Sequence, residues 1–147
     1  MKSYLPDSWS GRPHLAEHVH YWWHCARREL RFQCCADCGT YRHPPAPLCP
    51  NCRSEQSRWE LAPGDAELFS YTVVHHAANV RLKNVLPYNV AIVAFPSLGG
   101  LRIVSNVIDA APEELRIDMP LDLVWQKAES YCQLPLFKKR PPGVAIR

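Results

Sequence analysis

The sequence predicts a mainly β fold with an N-terminal helix, on three observations. Four cysteines, Cys35, Cys38, Cys49 and Cys52, form two C-x2-C pairs separated by residues 39–48. Beyond residue 61 come about five runs rich in β-branched and aromatic residues, parted by proline and glycine turns. Ahead of both, residues 13–30 repeat apolar side chains at helical spacing. The sum is a helix, a four-thiolate zinc ribbon and a small five-stranded barrel.

Composition sets the limits. At 147 residues the chain is long enough for one compact domain or two very small ones. Its 47% hydrophobic and 21% charged residues are ordinary for a folded protein. No run of about 18 apolar residues is present, so no membrane span is expected. Residues 1–14 lack the apolar stretch of a secretory leader, and the cysteine count of 7 is odd. Both favour a reducing, cytoplasmic setting over a disulfide framework. The formal charge is +3. Four thiolates around one Zn²⁺ would bring it to roughly +1, a poor basis for holding polyanions.

Pro13 can open the helix. Leu15, Val19, Trp22, Trp23, Ala26 and Leu30 fall along one stripe, which predicts about five turns ending near the first cysteine pair. A small ribbon offers little surface for two adjacent tryptophans, so the stripe packs either on the barrel or on another protein. Each C-x2-C pair can present two sulfurs from one tight turn to a tetrahedral ion. Gly39 can take the positive φ that such a knuckle favours, and Pro50 stiffens the second pair. The proline-rich segment 39–48 is too short for a helix and reads as a loop or small hairpin. Cys34-x3-Cys38 is a competing pair, but x2 spacing on both sides favours Cys35 and leaves Cys34 a bystander. A closed four-thiolate site has no open position for water, which makes the zinc structural. Cys25 and Cys132 read as buried thiols acting as small hydrophobes.

Trp59–Pro63 leads to a turn at Gly64-Asp65. Strands are predicted at Glu67–His75, Tyr88–Phe95, Leu101–Ile108 and Leu121 to about Ala128, the last resuming through Tyr131–Phe137. Residues 77–87 break the strand pattern, 96–100 make a turn, and Asp109–Leu115 reads as a capped helical turn with Pro112 early. Divided this way, the chain has an arm and helix (1–33), a ribbon (34–60), a barrel (61–137) and a mobile basic tail (138–147). The strand count fits an OB-fold, a five-stranded Greek-key barrel, and also an SH3-like barrel.

The order of the parts is more specific than any one of them. The helix ends in Glu29-Leu-Arg-Phe-Gln-Cys-Cys-Ala-Asp-Cys-Gly39, and Cys49-Pro-Asn-Cys52 follows. Phe69–His75, Pro87-Tyr88, Ser105-Asn106, Met119-Pro120 and Leu134–Phe137 come next in turn. This series, over about residues 20–140, resembles the zinc-ribbon plus OB-fold family known as domain of unknown function 35. Arg28, Arg53 and Asp118 stand where that family usually has glycine, all at or near turns. The resemblance implies an OB-fold barrel and a small partner of a thiolase-like enzyme, or of a hot-dog hydratase, in acyl-CoA metabolism. Such complexes make or break carbon–carbon bonds beside an acyl-CoA thioester, retro-aldol removal of steroid side chains among them. Their chemistry belongs to the thiolase-like subunit. For this chain the resemblance therefore implies an accessory subunit that stabilises its partner and helps bind coenzyme A.

Candidate contacts follow from these parts. In the segment 77–87, Arg81 and Lys83 could pair with the phosphates of CoA, with Val80, Leu82 and Val85 lining a slot for the pantetheine arm. An ordinary solvated loop is the simpler reading there. Trp22 and Trp23 are the candidate partner anchors, because interface hot spots favour large aromatics. His14/His18 and His20/His24 are each four apart, but Glu17 is their one acidic neighbour, so they read as solvated or interface residues. His75 and His76 end a strand and read as an edge cap. No nucleophile motif or glycine-rich phosphate loop occurs, so no catalytic residue is assigned. The rival reading is single-stranded nucleic-acid binding, with Phe69, Tyr71, Tyr88 and Trp125 for stacking and Lys138–Arg140 as a basic tail. Those aromatics alternate as core residues do, and the cations are scattered, which favours the accessory subunit.

Overall fold

A computed structural model describes residues 16–77, 79–128 and 133–143. His14, Leu15 and Cys132 lie outside them. Within the described residues the helix α1 spans Ala16–Ala26 and ends about one turn before the periodicity suggests. The chain leaves it through a Schellman turn. The Arg28 N–H donates to the Cys25 carbonyl at 2.8 Å and the Glu29 N–H to the His24 carbonyl at 3.1 Å, with Arg28 at φ 60°.

The apolar stripe does not pack as one surface. Tyr21 and Cys25 are buried and Trp22 is half-buried against the core, whereas Val19 and Trp23 face outward, 51% and 54% exposed. The buried face is turned by one position: Tyr21 and Cys25, an i, i+4 pair, face the core, where α1 packs against both Arg31–Cys35 and Gln133–Lys139. Tyr21 stacks on His43 with ring centroids 4.8 Å apart.

In the ribbon, β1 (Arg31–Cys35) lies between β2 (Tyr41–Arg42) and β3 (Ser57–Leu61), antiparallel to both. The segment 39–48, expected to be a loop or small hairpin, contributes only β2, which pairs with β1 ahead of it, and is otherwise loop and turn. The strand β3 is a surplus over the sequence reading; the alternation in its Arg-Trp-Glu-Leu is only four residues long, and pairing along all of β1 decides its conformation.

The barrel follows. β4 (Glu67–Val74), β5 (Tyr88–Phe95) and β6 (Leu101–Ser105) form an antiparallel meander. β7 (Val107–Ile108), β8 (Leu121–Lys127) and β9 (Gln133–Lys139) form a second sheet in the order β7-β9-β8, with β7 parallel to β9. The predicted strand Leu101–Ile108 thus breaks at Asn106, passing from one sheet to the other. Counted as one bent strand, it gives the five strands of an OB-fold. Glu67 bridges Pro120, and Leu68 bonds Met119 and Asp118 through its N–H and carbonyl, tying the first barrel strand to the start of β8.

Two expectations are corrected. The basic stretch does not begin a free tail at residue 138: Lys138 and Lys139 complete β9. Arg140 is clamped, donating to Asp122 at 2.7 Å and to the carbonyls of Leu121 and Gly64. Phe69 is not a core residue. A bulge between Leu68 and Ser70 inserts it as the extra residue and leaves its ring 39% exposed. Tyr71 and Trp125 do pack against the core.

One apolar cluster runs from helix and ribbon into barrel. Its spine is aromatic: Phe32 of β1 meets Phe95 of β5 edge-on at 4.9 Å, and Phe95 meets Phe137 of β9 at 6.3 Å. Such pairs contribute roughly 0.5–1.5 kcal/mol each beyond the area they bury. No helix among the described residues is long and apolar enough to cross a membrane.

Candidate functional site

The two cysteine pairs fold into near-identical knuckles. In the first, the Cys35 N–H donates to the Thr40 carbonyl at 2.9 Å and the Gly39 N–H to the Cys35 carbonyl at 3.1 Å. In the second, the Cys49 N–H donates to the Ser54 carbonyl at 2.9 Å and the Arg53 N–H to the Cys49 carbonyl at 2.9 Å. The residue after each second cysteine is left-handed, Gly39 at φ 73° and Arg53 at φ 66°. Arg53 therefore keeps the geometry that glycine supplies elsewhere, as do Arg28 and Asp118, the latter at φ 62°.

The knuckles bring the Sγ atoms of Cys35, Cys38, Cys49 and Cys52 within 4.8 Å of one another. Cys35 and Cys52 are 3.6 Å apart and Cys38 and Cys49 3.5 Å. Tetrahedral zinc with Zn–S bonds near 2.3 Å has S···S edges of about 3.8 Å, so the donor set fits this ion. Cys38, held by the Thr40 hydroxyl and the Asn51 side chain, is lowered to about 5. The Ser54 backbone hydrogen bond pulls Cys52 down, but Cys38, burial, Cys35 and Cys49 together outweigh it and push the thiol up to about 12. Four crowded thiols cannot all ionise alone; a dication removes that repulsion.

Cys34 stays outside the cluster. It is fully buried, its Sγ directed at the carbonyls of Gly39 at 3.4 Å and Cys35 at 3.6 Å, and burial raises its thiol. Among the described residues the four-cysteine group alone meets the geometry of a metal site. His20 and His24 lean on the Trp59 ring, at 6.3 and 5.3 Å, and do not converge on an ion.

The other candidates are spread out. Residues Val80–Val85 form a 3-10 turn. Within it Lys83 is exposed and Leu82 and Val85 are half-buried. Val80 points outward, 71% exposed. The backbone of Arg81 lies in the same turn. His75 and His76 are exposed at the end of β4. Trp23 carries the Arg27 guanidinium 4.6 Å above its ring.

The sequence reading missed a cleft of about 540 Å³ where ribbon meets barrel. Leu30, Ala66, Phe95, Leu121 and Phe137 give it an apolar lining, and Arg28 and Arg140 contribute cations. These residues come from distant segments, so no local pattern announces them. The size lies within the range of small-molecule sites.

Comparison with known proteins divides the chain within β3, close to this junction. Residues 22–58 match the ChsH2 rubredoxin-like zinc ribbon domain, and residues 59–126 the ChsH2 C-terminal OB-fold domain. A probable enoyl-CoA hydratase alpha subunit of Thermomonospora curvata is 36% identical over 138 residues. That match takes in 93% of this chain but only 42% of the relative, so the chain spans less than half of that protein. A DUF35 domain-containing scaffold protein of Methanothermobacter thermautotrophicus is 30% identical over 115 residues, 77% of this chain and 84% of the scaffold. A chain of a solved Ltp2-ChsH2(DUF35) aldolase superposes with TM-score 0.78 at 35% identity, over 87% of this chain and 98% of that one.

Proposed function

Because the chain belongs to the DUF35 family, with a ChsH2-type zinc ribbon followed by an OB-fold, we propose that it is a non-catalytic accessory subunit of a thiolase-like acyl-CoA complex. The reaction that fits best is retro-aldol cleavage, with steroid-type side chains as the substrate class. The observation that carries this reading is the 35% identity over 98% of a chain in a solved aldolase assembly. The hydratase name of the Thermomonospora curvata relative supports a hydratase as a further neighbour in the same assembly.

In this reading Cys35, Cys38, Cys49 and Cys52 hold one Zn²⁺. The ion cross-links the two knuckles and takes no part in the reaction. The thiolase-like subunit supplies the base that removes the β-hydroxyl proton and the site that stabilises the enolate as the Cα–Cβ bond breaks. This chain provides a rigid surface and, through Arg81 and Lys83, cations for the CoA phosphates. The exposed Trp23 of α1 is the anchor on the helix side.

The test is co-expression with the thiolase-like subunit of the same source. A stable complex that cleaves a β-hydroxyacyl-CoA, with neither chain active alone, is the expected result. Failure to associate, or full activity of the larger subunit by itself, would overturn the proposal.

A further inference from the structure

We propose that the outer face of the β4–β5–β6 sheet is a docking surface for another protein subunit, one that presents apolar side chains and a carboxylate to Arg102. This rests on the accessory-subunit reading and adds to it where the partner sits and what chemistry it brings.

The argument starts from β5. Its inward residues Asn89, Ala91, Val93 and Phe95 are 0–1% exposed. An antiparallel sheet with one wetted face normally carries polar residues on that face. Here the outward positions are Tyr88, Val90, Ile92 and Ala94 instead, of which Ala94 is buried and the other three half-buried. The register sets Ser70, Ile92 and Val104 in one row across all three strands. Val104 ends that row 71% exposed, so no described element covers it. β5 therefore reads as a strand suited to burial on both sides, whose outer face the described residues cover only in part.

The charges say what the cover is. The bulged Phe69 ring lies on the same face, with the Arg102 guanidinium stacked 3.6 Å from its centroid. Stacking fixes the guanidinium plane and leaves its N–H edge for a planar anion. Arg102 makes no ion pair among the described residues. The acid in its own row, Glu67, is two strands away, about 9–10 Å by strand spacing. A cation held on Phe69 beside Ile92 and Val104, with no carboxylate paired to it among the described residues, is complemented by an apolar surface bearing a carboxylate. A second copy of the same face would bring a second unpaired Arg102.

Arg102→Glu and Val104→Asp, each co-expressed with the thiolase-like subunit, test the surface. Each is expected to weaken association at least tenfold while zinc content and melting temperature hold; Lys127→Glu, an exposed cation on β8, leaves affinity unchanged. In the wild-type complex, hydroxyl-radical oxidation of Phe69 is expected to fall several-fold, a readout that does not depend on any variant folding. If the wild type assembles but both variants bind within twofold and Phe69 stays reactive, the surface is wrong and the accessory reading stands. If the wild type binds no thiolase-like subunit, both fall. A dimer of the isolated chain that Val104→Asp disperses assigns the face to a second copy and overturns the proposal.

Discussion

The side-chain amide of Asn89 brackets Val107: it donates to the Val107 carbonyl at 2.7 Å and accepts from the Val107 N–H at 2.8 Å. This satisfies the backbone of the residue at which the bent third barrel strand changes sheets. Asn89 is fully buried. Replacing it with alanine leaves a buried donor and acceptor unpaired, at a cost of about 2–4 kcal/mol. Urea unfolding of Asn89→Ala checks this, and Asn89→Asp, which restores only the acceptor, is expected to fall between.

Metal content separates the neighbouring thiols. Elemental analysis of Cys34→Ala is expected to return one zinc per chain, since Cys34 lies outside the four-sulfur cluster. Cys35→Ser is expected to lose most of its zinc and, with it, the protection of the ribbon from proteolysis.

His43 gives the fold a pH dependence. Burial and then the charge of His18 hold it down at about 4, against 6.5 when unperturbed. The unfolded chain therefore binds one more proton between these values. Stability is complete above about pH 6.5 and is lost as pH falls towards 4, by about 3 kcal/mol in total. His43→Phe is expected to flatten the difference between unfolding curves at pH 7 and pH 5. Zinc loss at low pH is common to both proteins and cancels in that comparison.

The two tryptophans are expected to part company. Trp22 packs against the core and meets Tyr21 edge-on at 5.1 Å, so Trp22→Ala should cost about 2 kcal/mol of stability. Trp23→Ala should leave the melting temperature within a degree or two and lower the yield of complex instead.

Left-handed backbone at Arg28 and Asp118 predicts gains. Glycine relieves a Cβ penalty of roughly 1–2 kcal/mol and adds about 0.5–1 kcal/mol of unfolded-state entropy. Arg28→Gly and Asp118→Gly should each raise the melting temperature by about 1–2 °C.

Much of this could be read beforehand, for physical reasons. The C-x2-C spacing constrains a covalent turn, so the four sulfurs and their knuckles were legible. β5 was legible to the residue because its apolar run is bounded by prolines. Patterns that only tertiary contacts decide were not. The ends of α1 depend on a Schellman turn built on arginine, β3 on pairing with β1, and the outward turn of Phe69 on a bulge. The break at Asn106 depends on Asn89, seventeen residues earlier in the chain. The cleft at the ribbon–barrel junction exists only once distant segments meet.

The Phe32–Phe95–Phe137 spine has a bearing on assembly. Because Phe32 sits on the strand that enters the first knuckle, a chain stripped of its ion loses order at the very ring that seats the barrel. Loss of the ion is therefore expected to be felt at surfaces far from the thiolates, as a loosened barrel. If the chain is the accessory subunit proposed above, assembly is expected to favour copies that have already captured zinc, the ribbon serving as an inspection step.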